Sequence, residues 1–273
     1  MRPVEIPASY YQQFDADYRR AVPAEGYGGW KKSRIGLAPR HTALVVMHAW
    51  ECGTMEQWPG WRRCVEYHPR ALKILAEVFP PLLRAVRASP LPVFHVVGGR
   101  DYYSHLPGYK STVKLAGPSP KPKPVPKDAV YRRLDKFRAD KVFVGRRNWP
   151  DVRKGFKRLD FAPAARPLAG EPIAEDGHQL AALCHAHGIN HLVYVGFAIN
   201  WCLLMSPGGM VDMTRYGVMC STIREAVTAV ENKETARGER EKQQALWRVA
   251  INSGFVFGAQ DFIKAVKSLP PKA

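Results

Sequence analysis

The segment INHLVYVGFAINWCLL, residues 189–204, holds an apolar run that ends in a glycine and is followed by a cysteine. Consecutive apolar residues are typical of a parallel strand that is buried on both faces. The run ends at Gly196, and a helix is predicted to begin near Leu203. Cys202 is therefore expected at the carboxyl edge of a sheet and at a helix N-terminus, where the helix dipole favours a thiolate.

Two interpretations of Cys202 follow from this position. The small residues Gly196 and Ala198 let backbone amides approach a ligand, which suits an oxyanion hole beside a nucleophile. Free cysteines are also among the most buried residue types, and the thiol of a buried cysteine is usually unreactive. Position alone leaves both a catalytic thiol and a buried filler open.

Strands and helices alternate on both sides of this segment. The other runs predicted as strands are TALVVMH (42–48), LPVFHVV (91–97), KVFVG (141–145), YGVMCS (216–221) and the start of GFVFGAQDFIKAV (254–266). Such alternation predicts an α/β fold with a parallel sheet and helices on both faces, and ligands bind at the carboxyl ends of the strands of such a sheet. TALVVMH and INHLVYVG are expected to be central neighbours, because only interior strands tolerate apolar residues on both faces.

Two stretches do not fit the alternation. Residues 1–40 are aromatic, charged and irregular, and they are predicted to form an N-terminal arm on the surface or on a neighbour, outside the main domain of residues 41–273. Residues 98–140 form a long basic, Pro-rich insertion that contains GPSPKPKPVPK (117–127). This composition favours extended polyproline structure, so residues 117–127 are expected to lie outside the core.

The charge of the chain is concentrated in one region. The formal net charge is +17 at pH 7, and residues 109–158 hold 16 Lys and Arg against four Asp. One interpretation is binding to nucleic acid or another polyanion. The other is a solvated surface, which is favoured because no recognised nucleic-acid module is present and aromatic residues are sparse within residues 110–141.

Several classes of protein and site are not expected. No stretch reaches the roughly 18 apolar residues of a membrane helix, and the N-terminus has no apolar region typical of a secretory signal, so no membrane partner is expected. The five cysteines show no CxxC pair, so neither a disulfide framework nor a zinc site is indicated. His95, Asp101 and His105 have the wrong spacing for a metal site, so no metal or other cofactor is expected. A reducing cytoplasm is the simplest location.

Residues 188–220, GINHLVYVGFAINWCLLMSPGGMVDMTRYGVMC, resemble the signature of the isochorismatase-like cysteine hydrolases, in which a G-[VIF]-A-x-N-x-C segment follows the fourth strand. HTALVVMHAW (41–50) is similar to the first strand of that family, and the likeness spans most of residues 40–265. The resemblance implies an open, doubly wound parallel sheet of six strands in the order 3-2-1-4-5-6, with helices on both faces in three α/β/α layers. It also implies assembly into a homo-oligomer, a dimer or tetramer.

The resemblance further implies which residues are catalytic. In the family an Asp ends strand one and takes the thiol proton, a Lys ends strand three, and the nucleophilic Cys follows strand four. Carried over, the nucleophile is Cys202, the Phe197–Ala198 peptide bond is cis, and the amides of Ala198 and Cys202 form the oxyanion hole. The Trp-rich residues 57–63 are a candidate roof of the pocket, and the residues expected to contact the substrate are Trp50, Asn200 and Trp201.

Two positions depart from the family pattern. His48 stands where the Asp is expected, and Gly145, followed by Arg146, stands where the Lys is expected. His48 is predicted to be the base, since a Cys–His pair can activate a thiol, with Arg146 as an electrostatic partner. The implied function is hydrolysis of a C–N bond of a small amide or ureide through a thioester on Cys202. The alternative is a catalytically inactive scaffold that acts as a binding or assembly protein.

Overall fold

The computed structural model describes residues 2–51 and 53–271, and it is organised around one sheet. The strands are β1 (Val4–Gln12), β2 (Gly29–Leu37), β3 (Thr42–Met47), β4 (Val93–Val96), β5 (Ile173–Ala174), β6 (His191–Phe197), β7 (Met219–Thr228) and β8 (Val256–Phe257). They form an eight-stranded sheet in the order β2-β1-β8-β7-β6-β3-β4-β5. Strands β3 to β8 pair in parallel with one another, and β1 is antiparallel to both β2 and β8. The predicted α/β class is confirmed, with a mixed sheet.

Helices cover both faces of the sheet. They are α1 (Pro59–Cys64), α2 (His68–Glu77), α3 (Phe79–Arg87), α4 (Pro107–Ala116), α5 (Ala129–Lys141), α6 (Trp149–Lys157), α7 (Gly177–His187), α8 (Met210–Thr214), α9 (Arg240–Asn252) and α10 (Ala259–Lys267). Leu44 and Val46 of β3 share a core with α2, α3 and α10, whereas Val45 and Met47 share the other core with α7 and α9. Successive side chains of a strand point to opposite faces, so one uninterrupted apolar run fills both cores.

Strands β3 and β6 are interior neighbours, as their apolar runs predict. They pair in parallel from Thr42, opposite His191, to Met47, opposite Gly196. All six residues of β3 are buried, and so are the residues of β6 after His191. The carboxyl ends of the two strands therefore meet at one edge of the sheet.

The prediction of a strand at residues 141–145 is wrong. Lys141 is the last residue of α5, and the segment after it forms a turn in which Val142 and Phe143 are exposed. The third parallel strand along the chain is β5, which pairs with β4 through only two residues. Two residues are too few to show a hydrophobic period, so β5 has no strand signal in the sequence. The residue that follows the third strand is therefore Glu175.

The residues predicted to form an irregular arm form a β-hairpin instead. Strands β1 and β2 pair along their whole length, and β1 also pairs with β8 through Ala8 and Ser9. Ile6, Ala8 and Leu37 are buried, so the hairpin extends the sheet and part of its core. The hairpin adds two antiparallel strands to the six parallel strands β3 to β8, so the sheet has eight strands. The exposed Lys and Arg side chains of β2 hid this strand in the sequence, and charges of that kind are common on edge strands.

The basic insertion is largely exposed, and the chain packs against the domain again after it. Residues 117–127, all of them described, contain no helix or strand and no buried residue, as their Pro-rich composition predicts. Helix α5 follows in an exposed position, and α6 then packs against α1. No helix within the described ranges combines the length and the apolar character that crossing a bilayer requires.

Candidate functional site

The carboxyl ends of β3 and β6 carry the residues that the sequence singles out. Strand β6 ends at Phe197, and the Phe197–Ala198 peptide bond is cis, as the resemblance implied. A π-helical turn follows over Ile199–Leu203, and such turns are frequent at functional sites. Cys202 lies in this turn and is partly buried.

Cys202 borders a cavity of about 200 Å³. The described residues that line it are Trp50, Trp61, Cys64, Val65, Tyr67, Phe143, Val144, Val152, Phe156, Ala198, Trp201, Cys202 and Val230. None of them is charged, and six are aromatic. An apolar cavity of about 150 Å³ accommodates benzene, so this one has room for a single aromatic ring with a small substituent. The walls favour a small, flat and uncharged molecule.

Part of the cavity wall comes from the basic region of the chain. Phe143 meets Trp201 edge-on, with 5.4 Å between the ring centroids, and Phe156 of α6 stacks on Trp61 at 4.9 Å. The Val144 carbonyl accepts a hydrogen bond from Cys64 Sγ at 3.1 Å. Residues 109–158 are therefore more than a solvated surface, because they also complete the cavity beside Cys202. Trp61 belongs to the Trp-rich residues 57–63 that were expected near the pocket.

The thiol of Cys202 lies in an apolar environment. Burial raises its pKa above the ordinary value, while hydrogen bonds with the Ser206 side chain and the Ala198 backbone act in the opposite direction. The amide of Ala198 is one of the two that the resemblance assigns to an oxyanion hole, and the other is that of Cys202. Burial dominates, and the thiol is protonated at neutral pH.

We expect Cys202 to react slowly with iodoacetamide at neutral pH, with a rate that keeps rising above pH 9, because the thiolate is the reactive form. This direction is opposite to the one predicted from a helix N-terminus, since burial outweighs the dipole of a five-residue turn. Timed alkylation over a pH series, followed by mass spectrometry of the Cys202 peptide, measures the rate. A midpoint below about pH 8.5, the value of a free cysteine, would contradict the structure.

His48 follows β3 and lies next to the cavity without lining it. Its ring stacks on Trp50, with 4.6 Å between centroids and an angle of 18°, and Trp50 lines the cavity. Burial lowers the pKa of His48 to about 4, against a weaker opposing hydrogen bond with the Val97 backbone. Its Nδ1 is buried and has no hydrogen-bond partner among the described residues. The imidazole is therefore neutral, and no hydrogen bond between described residues joins it to Cys202.

Lowering the pH is expected to destabilise the protein through His48. Its pKa is lowered from 6.5 to about 4 by folding, so the unfolded chain takes up the proton first, and stability falls as the pH drops from about 6.5 to about 4. At about 1.4 kcal/mol per pKa unit the full loss is about 3 kcal/mol. His68 and His191, whose pKa values burial also lowers to about 4, add losses of the same sign.

Urea unfolding near neutral pH and near pH 4.5 measures this loss. His48→Asn should lose about 2–3 kcal/mol less than the wild type between the two conditions, because the buried group no longer titrates. Asn is chosen because it tolerates the positive φ of 51° at this position. His105→Asn, at an exposed position, is the matched control and should follow the wild type. Equal losses in His48→Asn and the wild type would show that His48 is not buried in its neutral form.

The remaining predicted residues divide into two groups. Trp50 and Trp201 line the cavity. Asn200 instead turns to Val230: its Nδ2 donates to the carbonyl at 2.8 Å and its Oδ1 accepts from the amide at 2.9 Å. These bonds hold the π-helical turn in place. Arg146 borders a separate surface depression with Trp149, Pro150 and Arg153.

The end of the third strand carries an acid. The resemblance places a Lys at the end of the third parallel strand. Because this strand is β5, the corresponding residue is Glu175 and not Gly145. The Glu175 carboxylate accepts a hydrogen bond from the Tyr103 hydroxyl at 3.0 Å. The cation that the family uses beside its thiol has no counterpart at this position.

Most of the cavity was not predicted from the sequence. Cys64, Val65 and Tyr67 follow the Trp-rich stretch, and Val152 and Phe156 belong to α6. No local pattern marks these residues, because their shared feature is contact across segments that lie far apart in the chain. The Trp-rich composition near residue 60 was the one usable signal.

Among the described residues, two thiols line the cavity. Cys64 and Cys202 line it, whereas Cys184 and Cys220 are buried in the core, and all four are free. Burial raises the pKa of Cys64 and brings those of Cys184 and Cys220 to about 12. Cys52, the fifth cysteine, lies outside the described residues. Cys64 and Cys202 thus form a matched pair for mutagenesis.

Several solved structures to which this chain is similar are isochorismatase-family hydrolases. A cysteine hydrolase from Pseudomonas syringae pv. phaseolicola has 16% identity, a TM-score of 0.47, and coverage of 85% of this chain and 95% of its own. An isochorismatase-like hydrolase from Alkaliphilus metalliredigens has 15% identity, a TM-score of 0.47, and coverage of 82% and 98%. N-carbamoylsarcosine amidase from Thermoplasma acidophilum has 15% identity, a TM-score of 0.41, and coverage of 80% and 96%. No family model and no curated protein matches the chain.

Proposed function

We propose that the protein binds a small, uncharged aromatic amide in the cavity beside Cys202 and hydrolyses its C–N bond through a thioester. The observation that carries the proposal is that Cys202 and Ala198, the residue after the cis peptide bond, border the same aromatic cavity. A thiol nucleophile and a nearby N–H donor are two components that acyl transfer uses. The aromatic walls supply apolar surface for the ring of the substrate.

In the proposed reaction the sulfur of Cys202 attacks the carbonyl carbon while its proton passes to His48, directly or through one water. The amides of Ala198 and Cys202 donate hydrogen bonds to the oxyanion. The C–N bond then breaks, and the His48 imidazolium returns the proton to the departing amine. Water hydrolyses the thioester, which releases the carboxylic acid and restores the thiol.

Turnover is expected to be slow. The pKa of the Cys202 thiol is raised and that of His48 is lowered to about 4, so proton transfer from sulfur to imidazole is unfavourable before the attack. Neither the acid nor the cation that the resemblance implies is among the described residues that line the cavity. Arg146 has no part in the proposed reaction, because it borders a different depression.

Benzamide tests the proposal. The purified protein should release ammonia from benzamide with saturation, and at least about tenfold less efficiently from acetamide or 4-carboxybenzamide. Acetamide leaves the aromatic walls uncovered, and a carboxylate meets no charged group among the described cavity residues. Failure of benzamide to bind or to react would contradict the proposal.

A catalytically inactive binding protein is the second candidate. The observation in its favour is the protonated thiol in a cavity whose described walls carry no charge. This candidate predicts that benzamide binds, with a heat measurable by calorimetry, and that no ammonia is released. Ammonia release that depends on Cys202 excludes it.

The homo-oligomer implied by the resemblance stays a prediction. A dimer or tetramer should appear in light scattering of the purified chain. A monomer at micromolar concentration would contradict it.

A further inference from the structure

Helix α5 is unusual because it projects from the domain into solvent. All thirteen of its residues are described, and none is buried. The exposed Pro-rich residues 117–127 precede it, and Asp128 caps it by accepting a hydrogen bond from the Tyr131 amide at 2.7 Å. A helix of this length is marginal in water without tertiary packing. A partner that covers one face would stabilise it.

The face of α5 that points away from the domain is apolar and basic. At about 3.6 residues per turn, one arc of the helix contains Val130, Arg133, Leu134, Phe137, Arg138 and Lys141, here called the outer face. The three apolar members, Val130, Leu134 and Phe137, are 52%, 58% and 61% exposed. Such exposure is high for large apolar side chains that lie side by side.

The acids of α5 lie away from the outer face. Asp135 is on the far side, and Asp140, at the boundary, is paired with Lys136 at 2.7 Å. The only residues of α5 that are partly buried are Ala139 and Asp140, so the domain lies on that side of the helix. The outer face therefore presents three apolar and three cationic side chains to the solvent, and no anionic one.

Charge decides which partner fits the outer face. Residues 109–158 have 16 cations and four anions, so the same region of a second copy would be repelled from the outer face. The phosphate backbone of nucleic acid would attract the cations, but it offers no apolar surface for Val130 and Leu134. An anionic lipid bilayer offers both, with phosphates for the cations and an acyl boundary for the apolar side chains.

We propose that the outer face of α5 docks on an anionic lipid surface. Val130, Leu134 and Phe137 enter the boundary between headgroups and acyl chains, while Arg133, Arg138 and Lys141 bind lipid phosphates. The lysines of the Pro-rich residues 117–127 add to the attraction, because they precede the helix directly. This proposal replaces the expectation that no membrane takes part, which concerned a spanning segment and not a helix lying on the surface.

Co-sedimentation of the full chain with vesicles tests the proposal. Binding to vesicles that contain phosphatidylserine should be at least about tenfold tighter than binding to pure phosphatidylcholine, and it should weaken with salt. Leu134→Ser with Phe137→Ser should lower the affinity at least about tenfold at unchanged charge. Equal binding to both kinds of vesicle would overturn the proposal.

Two variants with the same change of charge distinguish docking from diffuse attraction. Arg133→Glu with Arg138→Glu reverses two cations of the outer face, whereas Arg132→Glu with Lys136→Glu reverses two that point elsewhere. The first pair should lose at least about tenfold more affinity than the second. Equal losses in the two pairs would overturn the proposal, and so would tighter binding to single-stranded poly(U) RNA than to the anionic vesicles.

Discussion

Cys202→Ser is expected to lower the turnover of benzamide by about a thousandfold or more, with little change in its dissociation constant. The reason is that a serine hydroxyl is a much weaker nucleophile than a thiol, and His48, with a pKa of about 4, is too weak a base to activate it. The cavity loses only the difference between sulfur and oxygen, so binding persists. Ammonia release and calorimetry on the same preparations measure the two effects separately.

Cys64→Ser is the matched control for this prediction. Cys64 lines the same cavity, but its sulfur donates to the Val144 carbonyl, and the hydrogen bond that lowers its pKa comes from the Asn148 side chain and not from a backbone amide. Its replacement should lower turnover by less than about tenfold, because a hydroxyl can donate the same bond. Equal losses in the two variants would show that Cys202 is a wall of the cavity and not its nucleophile.

Gly196→Ala is expected to remove most of the stability of the protein, about 4 kcal/mol or more. Gly196 has a φ of +127°, a conformation that is strained for any other residue. A Cβ at this position would overlap with the backbone carbonyl of Met47, its partner in the pairing of β3 with β6. Relief would require the two central strands to separate. Urea unfolding, or the yield of folded protein, measures the effect.

Gly217→Ala separates the conformational cost from the steric one. Gly217 also has a positive φ, +74°, but no atom lies within 4 Å of the Cβ that alanine would add. Its replacement should cost about 1–2 kcal/mol, the price of a left-handed residue with a side chain. A loss at Gly196 no larger than the loss at Gly217 would contradict the close approach of the two central strands.

The predictable part of the fold was the part with a strong local signal. Strands β3 and β6 have uninterrupted apolar runs because both of their faces are covered by helices, and this requirement appears in every residue of the run. Strand β5 has two residues, and the charged strand β2 has only one face of its hairpin against the core, so neither shows a clear pattern. The run VFV at residues 142–144 shows apolar character for another reason, since Phe143 and Val144 line the cavity.

The candidate site also has one part that the local sequence predicts and another part that depends on long-range packing. The sequence placed Cys202 after a central strand, at the sheet edge where ligands bind, because that position follows from an apolar run and a glycine. The sequence did not predict the direction of the Cys202 pKa shift, because the burial that raises this pKa comes from packing against a core cluster drawn from several distant strands and helices. The exposed outer face of α5 was not predicted either, because the sequence does not show whether other residues cover an apolar side chain. Periodicity is encoded between neighbours in the chain, whereas burial, distance and electrostatic environment arise only when remote segments meet.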